Sequence, residues 1–175
     1  MWDRIRGAVG QFTRTAGLQV YFDAAATYLT RDVVDAGGVP GYFCHLMVRG
    51  TGSATARNCR GRVLEVAVRR SDGSSAPAPE FPGPTFLKWA REPDFGPRDL
   101  EADRPRPLDL CFALASAPAQ LRFFAPPSPS GVLIFPPGVY RVKVEVTADD
   151  MRPAHGAFRV DFTQGWDRIV VGETA

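Results

Sequence analysis

The sequence contains little of what catalytic and metal sites are usually built from. In 175 residues there are only two histidines, His45 and His155, and three cysteines, Cys44, Cys59 and Cys111. Neither histidine has an acid and a nucleophile nearby at a spacing that indicates a catalytic triad. The cysteines are single and irregularly spaced, whereas structural zinc takes four ligands, usually in close pairs. We therefore predict no catalytic residue, no metal site and no cofactor, and a protein that is not an enzyme.

Long apolar runs and targeting patterns are also missing. No stretch of about 20 apolar residues occurs, so we predict no transmembrane segment. The first residues lack the apolar core and the small-residue cleavage site of a secretory signal peptide. An odd number of irregularly spaced cysteines does not form a disulfide framework, which favours a reducing compartment. Together these features predict a cytoplasmic protein.

Glycine and proline, by contrast, are frequent, with 17 and 16 residues clustered between short apolar runs. The 45% hydrophobic and 23% charged residues are typical of a globular chain rather than a disordered one. Short apolar runs separated by proline and glycine predict many short strands joined by turns. The composition therefore favours an all-β domain.

The clearest strand covers residues 140–147. Its residues alternate strictly between two faces, with Tyr140, Val142, Val144 and Val146 on one and Arg141, Lys143, Glu145 and Thr147 on the other. Such alternation indicates an antiparallel strand with one buried and one solvated face. Residues 158–162 repeat the pattern, and the intervening turn is too short for a helix, so the two strands should form a hairpin. Elsewhere, Gly61 predicts a bulge or bend.

The first 16 residues show a helical spacing instead. Four apolar residues are separated by three, four and three positions: Trp2, Ile5, Val9 and Phe12. This spacing predicts an amphipathic helix over residues 1–16, ended by Gly17 and followed by a β domain over residues 17–175. The apolar helix face is our candidate partner-binding surface. The alternatives are packing against the chain's own domain and binding to an anionic membrane surface.

One stretch of the chain is locally basic. Within 22 residues it carries one acid, Glu65, and six arginines: Arg49, Arg57, Arg60, Arg62, Arg69 and Arg70. A solvated sheet face is one interpretation, and a site for an acidic or phosphorylated ligand is the other. For the second interpretation the candidate ligand-binding residues are Arg57, Arg60, Arg62 and Trp89. The stretch lacks interleaved exposed aromatics, which argues against nucleic acid as a partner.

Two segments resemble known β modules. The segment Pro136-Pro-Gly-Val-Tyr140-Arg-Val-Lys-Val resembles the start of strand F in immunoglobulin-like and fibronectin-like domains, where a tyrosine hydroxyl bonds back to the preceding turn. Residues 45–64, an apolar strand, a glycine-rich turn and Ala-Arg-Asn before the next strand, look like bacterial adhesion-type modules of the CARDB kind. The resemblance covers residues 40–163. It implies a non-catalytic module for attachment or protein interaction and carries over no active-site residue.

From these patterns we predict an all-β fold, an immunoglobulin-like antiparallel β-sandwich of about seven to nine strands, with a short N-terminal amphipathic helix. The predicted function is a non-catalytic interaction module that binds another protein through the helix or through edge strands. The alternative function is a β-sandwich that binds a small molecule or a carbohydrate.

Overall fold

The computed structural model describes residues 17–25, 31–35, 38–126 and 131–174, and these residues form strands and turns without a helix. The strands are β1 (Gly17–Tyr21), β2 (Arg31–Asp35), β3 (Pro40–Thr51), β4 (Ala56–Arg69), β5 (Ser75–Pro77), β6 (Thr85–Phe86), β7 (Arg98–Leu100), β8 (Arg106–Leu114), β9 (Leu121–Phe124), β10 (Val132–Phe135), β11 (Gly138–Ala148), β12 (Met151–Phe162) and β13 (Val170–Glu173). The predicted all-β class is confirmed. The predicted helix over residues 1–16 lies outside the described residues. No helix capable of crossing a membrane is found in the described ranges.

The strands form one curled sheet rather than two stacked sheets. The main path runs β10-β9-β8-β3-β1-β12-β11-β4-β5, with β2 beside β3, β13 beside β12, and β6 and β7 beside β4. Strands β1 and β12 run parallel, with Gly17 opposite Arg152, and the other strand pairs of the described chain are antiparallel. The predicted immunoglobulin-like antiparallel sandwich is therefore wrong: a mixed sheet of nine strands forms a half-barrel.

The reason for this error lies in β1. This strand pairs with β3 along five residues and reaches β12 at Gly17, so it joins two groups of strands that a sandwich would keep apart. A curled sheet buries one face of each strand in the same way as a sandwich does. Alternation of apolar and polar residues therefore predicts the inward face correctly but does not distinguish the two architectures.

The predicted hairpin is confirmed as the pair β11–β12. The two strands keep one register from Gly138 opposite Phe162 to Val146 opposite Ala154, the register shifts before Ala148 opposite Met151, and β4 covers the other edge of β11. The apolar face of β11 is buried throughout. The hydroxyl of Tyr140 donates a hydrogen bond to the carbonyl oxygen of Pro136 at 2.6 Å, which ties the start of β11 to the turn before it.

Gly61 has a different role from the predicted bulge. Where β4 pairs with β11, the irregularity lies at Leu64, because Lys143 pairs with Glu65 while Val144 pairs with Val63. Gly61 itself stays in register and faces the interior. A Cβ atom at position 61 would lie 2.4 Å from Cδ2 of Leu108, a residue of β8 on the opposite side of the half-barrel. Glycine is therefore required by close approach across the core, which leaves no space for a side chain.

A short segment ties the two sides of the half-barrel together. Residues 85–90 begin beside β4, where the Leu87 amide donates to the carbonyl oxygen of Gly61 at 2.9 Å. They end beside β8, where the Ala90 amide donates to the carbonyl oxygen of Pro107 at 3.0 Å. These bonds fix the segment to both sides of the half-barrel. The opening that remains in the curled sheet therefore lies beyond this segment, toward the end strands β5 and β10.

Candidate functional site

The sequence proposed two sets of site residues, of which the structure describes one. The first set lies outside the described residues: Trp2, Ile5, Val9 and Phe12. The second set consists of Arg57, Arg60, Arg62 and Trp89. Its three arginines lie on β4 with their side chains exposed or half-buried, whereas Trp89 is only 1% exposed and belongs to the core. The structure therefore does not bring Trp89 onto the surface that carries the arginines.

Two of the β4 arginines have neighbours in the sheet. The Arg60 guanidinium lies over the Phe86 ring, 5.5 Å from its centroid, and Nη2 of Arg62 lies 2.6 Å from Oε1 of Glu145. Glu145 is buried, so Arg62 neutralises a carboxylate that is largely removed from water. The basic stretch seen in the sequence is thus partly balanced by an acid from another strand.

His45 and Asp109 form a buried pair that no pattern in the sequence indicates. Nδ1 of His45 lies 2.8 Å from Oδ1 of Asp109, and both side chains are buried. The contact lacks hydrogen-bond geometry, since Nδ1 has no hydrogen-bond partner within the described part of the chain. Asp109 stands between Leu108 and Leu110, and alternation alone cannot separate a buried carboxylate from a solvated one. Burial keeps this pair away from any substrate, so we interpret it as structural.

The three cysteines are buried. Cys44 and Cys111 are opposite each other on β3 and β8, and burial, then the hydrogen bond with Cys44, raises the pKa of the Cys111 thiol well above its ordinary value. The Cys59 thiol donates to the carbonyl oxygen of Ala56 at 3.5 Å. Burial, and after it the Asp99 carboxylate, raises the pKa of Cys59 to about 11. Across the described ranges, no three histidine, cysteine or acidic side chains are placed to hold a metal ion.

These thiols are expected to be unreactive in the native protein. A rise in pKa from 9.0 to about 11 lowers the thiolate population of Cys59 at pH 8 by about 100-fold, and the thiolate is the reactive form. With a disulfide reagent at pH 8, the native protein should react at least about 100-fold more slowly than the denatured protein, which should release three equivalents. Rapid reaction of even one thiol in the native protein would contradict the burial described above.

An apolar cleft opens where the curled sheet does not close. Its volume is about 420 Å³ and its walls are Pro82, Gly83, Pro84, Thr85, Ala125, Pro126 and Leu133. One wall leads into β6 and the other belongs to the end of β9 and to β10. The hydroxyl of Thr85 donates to the carbonyl oxygen of Pro126 at 3.4 Å, so a polar contact joins the two walls. None of the lining residues is charged.

One side of this cleft is an open sheet edge. Strand β10 pairs with β9 on one side, and from Leu133 to Phe135 no described strand pairs with the other side. Phe135 points into the core, Leu133 lines the cleft, and Ile134 is 43% exposed. Within the described part of the chain, the site therefore combines a strand edge that is unpaired at residues 133–135 with an apolar recess. A proline-rich context was visible in the sequence, but the recess depends on two segments about 40 residues apart.

Comparisons with known proteins do not extend this description. No protein-family model, no curated protein and no solved structure matches the chain.

Proposed function

We propose that this protein is a non-catalytic interaction module that binds an extended segment of a partner protein along the outer edge of β10. The observation that supports the proposal is the open edge from Leu133 to Phe135 beside an apolar cleft. A strand edge presents backbone N–H and C=O groups that pair readily with another extended chain. Recognition by strand addition obtains affinity from such main-chain bonds and specificity from recesses for alternate side chains.

The cleft provides the recess that this mode of binding needs. Side chains of an added strand alternate between the two faces of the sheet, so every second one would point toward the side on which Leu133 lies. A volume of about 420 Å³ falls in the range of ligand pockets, about 300–1,000 Å³. Because the lining is uncharged and rich in proline, the cleft should select an apolar side chain. Proline also restricts backbone motion, so less conformational entropy is lost on binding.

The exposed apolar residue on this edge supports the same function. Ile134 is one of three large apolar side chains among the described residues that are clearly exposed, with Phe86 and Val170. Single exposed apolar residues are common, but Ile134 stands on an open edge where natural proteins usually place lysine or another charge. The absence of such protection at this position is expected if the edge has a partner.

The proposal predicts that one lysine substitution on β10 will weaken peptide binding. Peptides should be selected from a random displayed library on the full-length protein, and the best of them measured by fluorescence polarisation. We expect the selected sequences to be extended with alternating apolar residues. Ile134→Lys should weaken their binding by about tenfold or more, the effect of losing one important interface contact.

The matched control is Val170→Lys, which makes the same kind of change at a 47% exposed residue of β13, a strand outside the cleft. Its affinity for the peptides should stay within about twofold of wild type, because exposed substitutions away from the interface cost little. If no peptide is selected, or if both lysine variants bind equally well, the edge of β10 is not the docking site. Amide hydrogen exchange of residues 133–135 in the complex gives an independent check, since added pairing must slow it.

A further inference from the structure

A second surface gathers three arginines from three neighbouring strands. Arg69 lies at the end of β4, Arg141 on β11 and Arg159 on β12, where Arg141 and Arg159 are directly opposite each other. These residues line one cavity of about 110 Å³ together with Ser75, Val139, Tyr140 and Thr174. Ser75 is opposite Arg69 in the β4–β5 pair. The sheet register therefore brings the three arginines and Ser75 to the same small space.

The charges at this cavity are less balanced than elsewhere on the same sheet face. Farther along the strands, Lys143 pairs with Glu65 at 2.7 Å, as Arg62 does with Glu145. At the cavity, by contrast, the ion pair seen is that of Arg159 with Asp161 at 2.6 Å. Arg69 and Arg141 form no ion pair with any residue of the described chain. Among the described residues, the three arginines at the cavity thus have one carboxylate in an ion pair, which gives this part of the sheet face a local excess of positive charge.

Thr174 brings a buried hydroxyl group to the wall of this cavity. Thr174 Oγ1 is buried and has no hydrogen-bond partner within the described ranges, although the Thr174 amide donates to the carbonyl oxygen of Ala157 at 2.8 Å. A buried polar atom without a partner is unfavourable. Because Oγ1 of Thr174 is closed to solvent, the cavity offers a ligand the exposed arginine side chains rather than this hydroxyl. The proton of the Tyr140 hydroxyl is already donated to the carbonyl oxygen of Pro136.

The size and the donors of the cavity define the ligand chemistry. Guanidinium groups donate paired hydrogen bonds to planar or tetrahedral oxyanions, and they do so most strongly to phosphate and carboxylate. A phosphate group is small enough to lie among the arginines of this cavity, whose volume is about 110 Å³. We infer that Arg69, Arg141 and Arg159 form a binding site for a phosphate monoester, separate from the β10 edge and independent of the function proposed for it.

The test uses two probes on the intact protein, inorganic phosphate and O-phosphoserine, titrated at low ionic strength and followed by calorimetry and by the melting temperature. Saturable binding of both probes is expected, with a melting temperature that rises with probe concentration, because a ligand bound only to the native state stabilises it. If phosphoserine binds and free phosphate does not, the inference of a monoester site stands and the organic part of the ligand contributes to its affinity. If neither probe binds, the inference is overturned.

Single arginine substitutions then locate the site. Arg141→Gln should weaken binding of the probes by about tenfold or more, because it removes charge-assisted hydrogen bonds. Arg69→Gln provides the second such variant, and Arg141→Lys should recover only part of the affinity since lysine lacks the paired donors. All three side chains are exposed, so the variants are expected to fold normally.

The control is Arg60→Gln. Arg60 is on the same strand as Arg69 and on the same sheet face, but it lies over Phe86, away from the cavity. Its affinity for phosphate should stay within about twofold of wild type. Equal weakening in Arg60→Gln and Arg141→Gln would show that phosphate responds only to the overall positive charge, and the assigned site would then be wrong.

Discussion

Replacement of Trp89 by alanine is expected to lower the free energy of unfolding by about 3–5 kcal/mol, the range measured for large aromatic side chains in protein cores. Trp89 is 1% exposed and lies in the segment 85–90, which is bonded to β4 at one end and to β8 at the other. Its loss would open a cavity where the two sides of the half-barrel are held together. Since domains are stable by about 5–15 kcal/mol, this change removes a large part of the total.

The measurement is urea denaturation followed by circular dichroism, with the slope compared between variants to verify that the same surface is exposed on unfolding. Phe86→Ala is the matched control in the same segment. Phe86 is 39% exposed and contacts the Arg60 guanidinium, so its loss should cost only about 0.5–1 kcal/mol. A Trp89→Ala variant as stable as Phe86→Ala would show that Trp89 does not belong to the core.

The second large effect concerns the contact between Leu108 and Gly61 across the interior. Leu108 is fully buried, and Leu108→Ala is expected to cost about 2–5 kcal/mol. Gly61→Ala should cost about 1–3 kcal/mol, because its Cβ would lie 2.4 Å from a Leu108 methyl group that is held in the packed core. Both substitutions alter the packing at the same contact in the core.

The double variant distinguishes this packing from any local property of β4. Once Leu108 is shortened, the Cβ at position 61 fills space instead of colliding, so Gly61→Ala should become neutral or stabilising in that background. The cost of the double variant should be at least about 1 kcal/mol below the sum of the single ones. Additive costs would instead indicate that Gly61 serves a local bend, as the sequence alone suggested, and that β4 and β8 do not meet there.

For the candidate sites, the sequence predicts some of the individual residues but not how they are brought together. The basic stretch was visible, and Arg69 belongs to it, but its companions Arg141 and Arg159 come from strands that are about 70 and 90 residues later in the chain. The register of β4, β11 and β12 brings them together. The sequence interpretation groups Trp89 with the arginines of β4 as a candidate ligand site, and the structure instead places Trp89 in the core.

The His45–Asp109 contact could not be found for a related reason. In both strands the polar residue occupies the outward position of an alternating pattern, which normally means contact with water. Whether an outward side chain is covered depends on what crosses over that face, and a pattern within one strand contains no information about other segments.

The sequence by itself determined which residues point inward. The alternation in β11 and β12 and the proline and glycine between strands follow from local sterics and from the cost of exposing apolar surface, and both act along a single stretch of chain. Only the tertiary structure decided how those strands close around their core. A sandwich and a half-barrel bury the same rows of side chains, and the difference rests on β1, which reaches from β3 to β12 at Gly17. That choice, and with it the cleft beside β10 and the arginine cavity, arises from pairings between distant segments.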